Sequence, residues 1–331
     1  MKQKSDMISL SVVVPVYRSA DVLHELVSQV HAALAGSTYD GHFELVLVND
    51  CSPDESWQLI QRQANEHAWI RGVSLRRNFG QHNATMAGLK YARGKIVVIM
   101  DDDLQHPPTA ILRLAEMIEK GFDVCYTRYK ERKHATWKKL GSRFNDIVAG
   151  WVLNKPRGLY LSSFKALSRG AADAILAYDG PYAYVDGLIF KVTNSITTID
   201  IDHQDRFAGQ GNYNLKRSVS LWLKMATGSS VYPLRIATVF GFAMAATSLV
   251  LLAIIVVDRL RHPEMQPGWA STIATILMMG GLQMFFLGIL GEYIGRIYIR
   301  LNNTPQYVVR ETTFSDHSSA HRSTAIQHHP V

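Results

Sequence analysis

The feature that most constrains the fold is an apolar run, Ile96–Met100 (IVVIM), that leads directly into three acids, Asp101–Asp103. Mostly β-branched residues without polar alternation are typical of a strand buried on both faces, as in a parallel sheet covered by helices. Pro107 and Pro108 prevent the chain from continuing directly as strand or helix. Because ligands of open α/β sheets bind beyond the carboxyl ends of the strands, the acids mark a candidate site.

The residue types of this site favour a metal ion. Carboxylate oxygens suit Mg²⁺ or Mn²⁺, which proteins usually share with substrate phosphates. Asp101 and Asp103 are two residues apart, so in an extended chain both side chains would point to one side and bind one cation. The alternative is a solvated acidic turn that caps a helix beginning near Thr109. We expect the metal site.

Strand and helix patterns alternate along the first part of the chain. The predicted strands are 8–15, 43–48, 70–75, 96–100 and 123–127, and the predicted helices are 20–34, 52–67, 83–92 and 111–120. This alternation predicts an α/β domain with a doubly wound, mostly parallel sheet. Further along, Leu159–Ala166 and Val185–Phe190 have strand-like composition.

Two apolar stretches near the end of the chain, 236–257 and 269–290, contain no charged residue. Each is long enough to cross a hydrocarbon core of ~30 Å. A buried helix pair of a soluble protein is the alternative, but two such stretches in succession favour a transmembrane hairpin. The preceding segment, Leu215–Thr227, predicts an amphipathic helix with basic residues on its polar side, which suits a membrane interface.

These patterns divide the chain into four parts. We expect a catalytic domain at 1–214, an amphipathic juxtamembrane segment at 215–232, the hairpin at 233–301 and a tail at 302–331 that is disordered from about 315. Basic residues precede and follow the hairpin, which predicts that the α/β domain and both termini are cytoplasmic and that the chain is a multi-pass protein of the inner (cytoplasmic) membrane.

The formal charge of +7 limits the choice of partner. The basic residues are distributed along the chain, so an excess of positive charge here favours phosphorylated substrates and an anionic membrane over nucleic acid. The two cysteines, Cys51 and Cys125, have no metal-ligand spacing and indicate reduced thiols in the cytosol.

Three predicted strand ends converge on one crevice: Pro15–Tyr17, Asn49-Asp50 and Asp101–Asp103. A nucleotide would fit there. The sequence contains neither GxGxxG nor GxxxxGK[ST], so a dinucleotide site and a P-loop are not indicated. A nucleotide diphosphate without a phosphate-binding loop needs a metal ion, which the acids would hold.

Several motifs, in this order and spacing, resemble those of the inverting family-two glycosyltransferases, and within them the membrane-anchored polyprenyl-phosphate glycosyltransferases. They are SVVVPVY (11–17), LVLVNDCSPDES (45–56), RRNFGQHNATMAGL (76–89), VIMDDDLQHPP (98–108), RFAGQGNY (206–213) and LGEYIGRIY (290–298). The resemblance implies a glycosyltransferase A-type nucleotide-sugar domain. It also implies inverting transfer from a nucleotide sugar, with a UDP-sugar favoured, to polyprenyl phosphate.

The resemblance also assigns roles to single residues. Contacts to the nucleotide sugar are implied for Pro15, Tyr17, Asp50, Arg77, Asn78, Gln81, Asp102 and Arg132. The metal ligands would be Asp101, Asp103 and Gln105. Asp103 and Arg206 would serve catalysis, with Arg206, like Arg132, near a phosphate of the lipid or the donor. For Asn78 a turn-forming role is an equal alternative.

The chain departs from the family pattern at several positions. Relatives usually carry an acid in a Gly-Asp-Phe-Arg-type segment, where this chain reads LYLSSFK (159–165) with Tyr160. Asp186 is a candidate catalytic substitute, and the favoured alternative is that it lies in a turn before Gly187. At the second strand end, where relatives usually have glycine, this chain has Cys51. After the first strand, where they usually have Asn-Glu, it has Arg18-Ser19.

Two other functions fit part of the sequence. A processive polysaccharide synthase would carry a Gln-x-x-Arg-Trp motif and more spans, and the sequence has neither. A catalytically idle membrane scaffold that binds a nucleotide sugar is the second alternative. Gly280, Gly281 and Gly288 permit a homo-oligomer, but packing within one hairpin would use the same residues.

Overall fold

The structure is a computed structural model, and it describes residues 8–129, 159–181, 183–201, 232–261, 268–302 and 304–315. The strands are β1 (Leu10–Val16), β2 (Phe43–Asn49), β3 (Ile70–Leu75), β4 (Ile96–Ile99), β5 (Val124–Tyr129), β6 (Lys165–Ser168), β7 (Ile196–Ile201) and β8 (Val309–Thr312). The helices are α1 (Ala20–Leu34), α2 (Ser56–Glu66), α3 (Gln81–Tyr91), α4 (Ala110–Glu119), α5 (Arg169–Leu176), α6 (Val185–Val192), α7 (Tyr232–Arg261) and α8 (Trp269–Leu301).

All eight strands belong to one sheet with the order β7-β5-β6-β4-β1-β2-β3-β8. The central strands are parallel, and β6 and β8 are antiparallel to their neighbours. Helices cover both faces, because the central strands are apolar on both sides. One core cluster packs α1, α2 and α4 against the sheet, and the other packs α3, α5 and α6 against the opposite face. The structure confirms the predicted doubly wound, mostly parallel α/β fold.

Most predicted elements are present, and three differ. Val185–Val192 is helix α6, not a strand, because Val185, Leu188 and Ile189 share a buried face at helical spacing. The strand expected at 159–166 begins only at Lys165. Strand β8 has no counterpart among the predicted strands, and it adds residues from the expected tail to the edge of the sheet beside β3.

The described chain divides into two units: the sheet with its helices and the residues that follow 304, and the pair α7 and α8. Each predicted membrane stretch falls within one of these two helices. Met278–Ile299 in α8 is long and apolar enough to cross a membrane, and α7 contains a shorter apolar stretch, Ala237–Ser248. Large apolar side chains on both helices are exposed, for example Phe242 at 76% and Met284 at 73%.

Candidate functional site

The predicted crevice lies where the chain changes direction across the sheet. Strands β4, β1 and β2 are adjacent and parallel, so their carboxyl ends meet at one edge. The helix after β1 lies on one face of the sheet and α3, which leads into β4, lies on the other. A doubly wound sheet opens a ligand crevice at such a position. The three predicted strand ends therefore meet, as expected.

Backbone strain accumulates at the same edge. Arg18, Cys51 and Leu104 have positive φ angles of 59°, 53° and 58°, and each follows one of the three strands. Within the described ranges, these three are the residues other than glycine that have a positive φ. A left-handed conformation costs an L-residue roughly 1–2 kcal/mol, and such positions concentrate at functional sites.

Asp101 contacts three side chains of the site, those of Gln81, Ser163 and His106. Its Oδ1 accepts a hydrogen bond from Gln81 Nε2 at 2.5 Å, and its Oδ2 accepts one from Ser163 Oγ. His106 Nε2 lies 3.4 Å from the same Oδ2 and 3.1 Å from Ser163 Oγ. Burial opposes ionisation, but the hydrogen bonds from His106 and Ser163, with the charges of His106 and Lys165, outweigh it and lower the pKa of Asp101.

The other two acids point to different partners. Asp102 accepts hydrogen bonds from the Tyr17 N–H, at 3.0 Å, and from Ser19 Oγ, and burial raises its pKa more than these bonds lower it. Asp103 Oδ1 accepts a bond from the Gln105 N–H at 3.1 Å. The expected alternation of an extended chain does not apply here, because β4 ends at Ile99 and the acids lie in an irregular turn.

Asp50 holds the loop between β3 and α3 (residues 76–80, the β3–α3 loop). Its two carboxylate oxygens accept the Phe79 N–H at 2.7 Å and the Gly80 N–H at 2.8 Å. Burial raises the pKa of Asp50, against the effect of these two bonds. Gly80 has a φ of 85°, which glycine adopts readily. Whatever else Asp50 contacts, it fixes the loop that leads to Gln81.

The other residues predicted to contact the nucleotide sugar differ in how exposed they are. Tyr17 is 43% exposed, and the Arg18 guanidinium lies 5.5 Å from its ring centroid. Arg77 and Asn78 are exposed, and Arg77 lies over the Phe79 ring at 4.7 Å. Pro15 is buried within β1. Arg132 and Arg206, like the predicted amphipathic segment, lie outside the described residues.

Sequence reasoning missed His106 and Ser163. His106 is 5% exposed and packs on Phe164, with ring centroids 5.1 Å apart. Ser163 lies in the segment 159–165, which departs from the resembled family pattern, and its hydroxyl contacts Asp101. His106 lies three residues after the last acid in the same motif, so its position in the sequence is a signal that could have identified it. No local spacing relates position 163 to position 101.

Asp186, predicted as a possible catalytic residue, lies in a buried polar group. Its Oδ1 accepts hydrogen bonds from Lys165 Nζ and from Tyr126 Oη, the latter at 2.8 Å. Asp186 is 7% exposed and Lys165 is 3% exposed. His82 is close enough to feel both charges, although burial is the larger effect and lowers its pKa. Lys165 also acts electrostatically on Asp101, so its pairing with Asp186 supports a role for Asp186 in arranging charge near Asp101.

The oxygen ligands of this site suit a divalent cation only when the substrate contributes further ligands. Within the described ranges, no three His, Cys, Asp or Glu side chains form a group that would hold a metal ion by themselves. Ionised carboxylate oxygens are nevertheless hard ligands, and Mg²⁺ is commonly bound by one or two carboxylates together with phosphate oxygens. The site therefore fits a shared metal ion, and does not form a closed cage.

Comparison with known proteins gives two family matches. Residues 11–176 match the family described as "Glycosyl transferase family 2". Residues 232–297 match the "GtrB C-terminal hairpin". The first match contains the strand ends and the acids, and the second covers α7 and most of α8.

Relatives match over nearly the whole chain. The undecaprenyl-phosphate 4-deoxy-4-formamido-L-arabinose transferase of Yersinia enterocolitica is 32% identical over 94% of this chain and 95% of its own. The enzyme of the same name from Enterobacter sp. is 33% identical over 91% of this chain and 92% of its own. An uncharacterized glycosyltransferase of Bacillus subtilis is 30% identical over 92% and 94%.

Solved structures are more distant. Glucosyl-3-phosphoglycerate synthase of Mycobacterium tuberculosis, in complex with Mn²⁺, UDP-glucose and phosphoglyceric acid, is 15% identical with a TM-score of 0.49, over 66% of this chain and 77% of that one. S. aureus TarS in complex with UDP-GlcNAc is 18% identical with a TM-score of 0.47, over 67% and 66%.

Proposed function

This chain belongs to glycosyl transferase family 2, and we propose that it transfers a sugar from a nucleotide sugar, with a UDP-sugar favoured, to undecaprenyl phosphate with inversion at the anomeric carbon. It is a glycosyltransferase with a mostly parallel A-type α/β domain followed by a hairpin of the GtrB type. The product would be a polyprenyl-phosphate sugar for a glycan or lipid of the cell envelope.

One observation carries the proposal: the acids at the strand ends and a hairpin of this type occur in one chain. Relatives that match over more than nine-tenths of the chain are named as transferases acting on undecaprenyl phosphate. An acceptor that is a lipid requires an enzyme held at the membrane surface. The exposed apolar side chains of α7 and α8 suit that requirement.

The proposed reaction forms one bond and breaks one. An oxygen of the acceptor phosphate attacks the anomeric carbon as the bond between that carbon and the nucleoside diphosphate oxygen breaks. The acceptor phosphate is already ionised near pH 7, so the attack needs no general base. The scheme therefore requires no base from Asp186, whose carboxylate is paired with Lys165.

A divalent cation, Mg²⁺ or Mn²⁺, would be held by Asp101 and Asp103, with Gln105 as a further ligand, and would stabilise negative charge on the departing diphosphate. The chain's own residues prepare this position. Gln81, Ser163 and His106 fix the carboxylate of Asp101. Tyr17 and Ser19 fix that of Asp102.

We test the proposal by transfer in detergent. Purified protein receives undecaprenyl phosphate, Mg²⁺ or Mn²⁺ and a panel of UDP-, GDP- and dTDP-sugars, and a radiolabelled lipid product is measured. We expect one donor to give a labelled lipid, and we expect EDTA to abolish it. Asp103→Asn should lower kcat/KM about a hundredfold or more, because it removes a charge expected to bind the metal.

The matched control is Asp21→Asn, which removes an exposed carboxylate from the first turn of α1. It should leave kcat/KM within about twofold of the parent value, since surface charges contribute little. Full activity of Asp103→Asn would refute the metal assignment. Nucleotide binding without transfer from any donor would refute the proposed reaction and support the idle scaffold.

A further inference from the structure

The chain returns to the sheet after the hairpin, and its residues there contact the surroundings of the site. We call residues 305–315 the return segment. β8 lies within it and pairs antiparallel with β3 at the sheet edge. The Gly72 N–H donates to Thr313 Oγ1 at 2.8 Å, and the Arg71 guanidinium lies 3.7 Å from the Phe314 ring centroid. These contacts attach the segment firmly to β3.

The return segment contacts the start of the β3–α3 loop and a second segment at Gly180. At the start of the β3–α3 loop, the Arg76 N–H donates to the Val308 carbonyl at 2.9 Å. Further along, Gln306 Nε2 donates to the Gly180 carbonyl at 3.0 Å. Gln306 is half-buried, which shields this bond from competing water.

Gly180 is linked in turn to the β3–α3 loop through Asn83. The Asn83 side-chain amide donates to the Pro181 carbonyl at 3.3 Å and to the Phe79 carbonyl at 3.0 Å. Phe79 and Gly80 are the residues whose N–H groups bond to Asp50. Four hydrogen bonds, linked by the backbone of Gly180-Pro181 and of Phe79, therefore connect Gln306 through Asn83 to Asp50.

We infer that Gln306, which follows the hairpin in the sequence, is a positioning residue: it holds the β3–α3 loop, and with it the nucleotide-sugar site, in its binding conformation. The inference rests on the proposed function for its ligand, a nucleoside diphosphate sugar. Without the bond from Gln306, the Gly180-Pro181 turn has one anchor fewer and the loop samples other conformations. Donor binding then weakens while the reacting groups stay unchanged, so KM for the donor rises and kcat is preserved.

The test uses the full chain in detergent and two variants. Gln306→Glu keeps the side-chain shape but offers only acceptors to the Gly180 carbonyl, and Gln306→Met removes the donor without adding charge. Each should raise the donor KM about threefold to tenfold, the range for one lost hydrogen bond, with kcat and the KM for undecaprenyl phosphate unchanged. Hydrogen exchange of peptides covering residues 76–84 should accelerate by a similar factor.

The matched control is Arg310→Gln, on an exposed position of β8 in the same segment. It should change neither the donor KM nor the exchange of residues 76–84. Exchange of α1 and the unfolding temperature report on overall folding in every variant. Unchanged exchange of residues 76–84 in both Gln306 variants, or equal acceleration in α1, would overturn the inference. Absence of transfer by the parent protein would refute the proposed function instead, because the exchange measurement does not depend on turnover.

Discussion

At the scale of single residues, Cys51 combines a departure from the family pattern with a strained backbone. Cys51 stands where the family pattern that this sequence resembles has glycine, and it has a φ of 53°. Its Sγ lies 3.8 Å from the Arg76 carbonyl, a contact too weak to offset the strain fully. The position therefore retains a glycine-type conformation with a side chain that makes it less stable.

We predict that Cys51→Gly is more stable than Cys51→Ala by about 1 kcal/mol, since alanine keeps the strain and glycine relieves it. Both variants lack the thiol, so the difference between their stabilities reports the backbone strain at position 51. For a unit of this size the expected difference in unfolding temperature is about 2–4 °C. Thermal unfolding in detergent measures it. Equal temperatures for the two variants would mean that the backbone relaxes away from the left-handed region.

The sequence predicted single residues of the site unevenly. The placement of Asp50 and the three acids at adjacent strand ends was predictable, because they end recognisable strands and parallel strands bring their carboxyl ends together. The directions of the carboxylates could not be found, because they depend on where β4 stops and on the turn at Leu104. Ser163 was missed because only the fold brings it to Asp101.

At the scale of secondary-structure elements, Glu44 joins several parts of the sheet at the edge away from the site. Its side chain is fully buried. It accepts hydrogen bonds from Ser11 Oγ at 2.7 Å and from the Arg93 N–H and Nε at 2.6 and 2.8 Å. Arg71 Nη1 lies 3.4 Å away. One carboxylate thus ties β1, β2, β3 and the end of α3 together.

We predict that Glu44→Gln lowers the free energy of unfolding by about 3 kcal/mol, because the neutral amide removes the charge that faces the mostly buried Arg71 guanidinium and places its own N–H donors beside guanidinium donors. The control is Glu116→Gln, which breaks an exposed pair with Lys120 at 2.6 Å. That change should stay below about 1 kcal/mol. Denaturant unfolding of both variants makes the comparison. A loss in Glu44→Gln as small as in the control would show that the network contributes little.

Elements were predictable where the pattern was long or regular. β1, β2 and β3 and helices α1 and α4 follow from apolar runs and helical spacing. α6 was misassigned because its β-branched residues favour a strand while their spacing of three and four gives a helix. β8 is short and partly polar, and its partner β3 is remote in sequence, so no local signal indicated it.

At the scale of the whole molecule, β8 bears on membrane topology. The chain leaves the sheet unit, forms α7 and α8, and re-enters the same sheet through β8. Two ends joined to one folded domain lie on the same side of a membrane. By the positive-inside rule, the basic residues near both ends favour the cytoplasm for that side, and we propose this topology together with attachment to the inner membrane.

We predict that alkaline phosphatase fused after His262, between α7 and α8, is active in the periplasm of an expressing bacterium, because one span then precedes it. The same enzyme fused after Val331 should be inactive there, and green fluorescent protein at that position should fluoresce. Because alkaline phosphatase and green fluorescent protein are both fused after Val331, fluorescence there shows that the fusion protein is expressed. Inactive phosphatase at position 262 with intact fusion protein would mean that α7 does not cross the membrane and that the hairpin lies at its surface. The return of β8 to the sheet is compatible with that arrangement as well, so this measurement, and not the fold of the first unit, decides between a spanning and an interfacial hairpin.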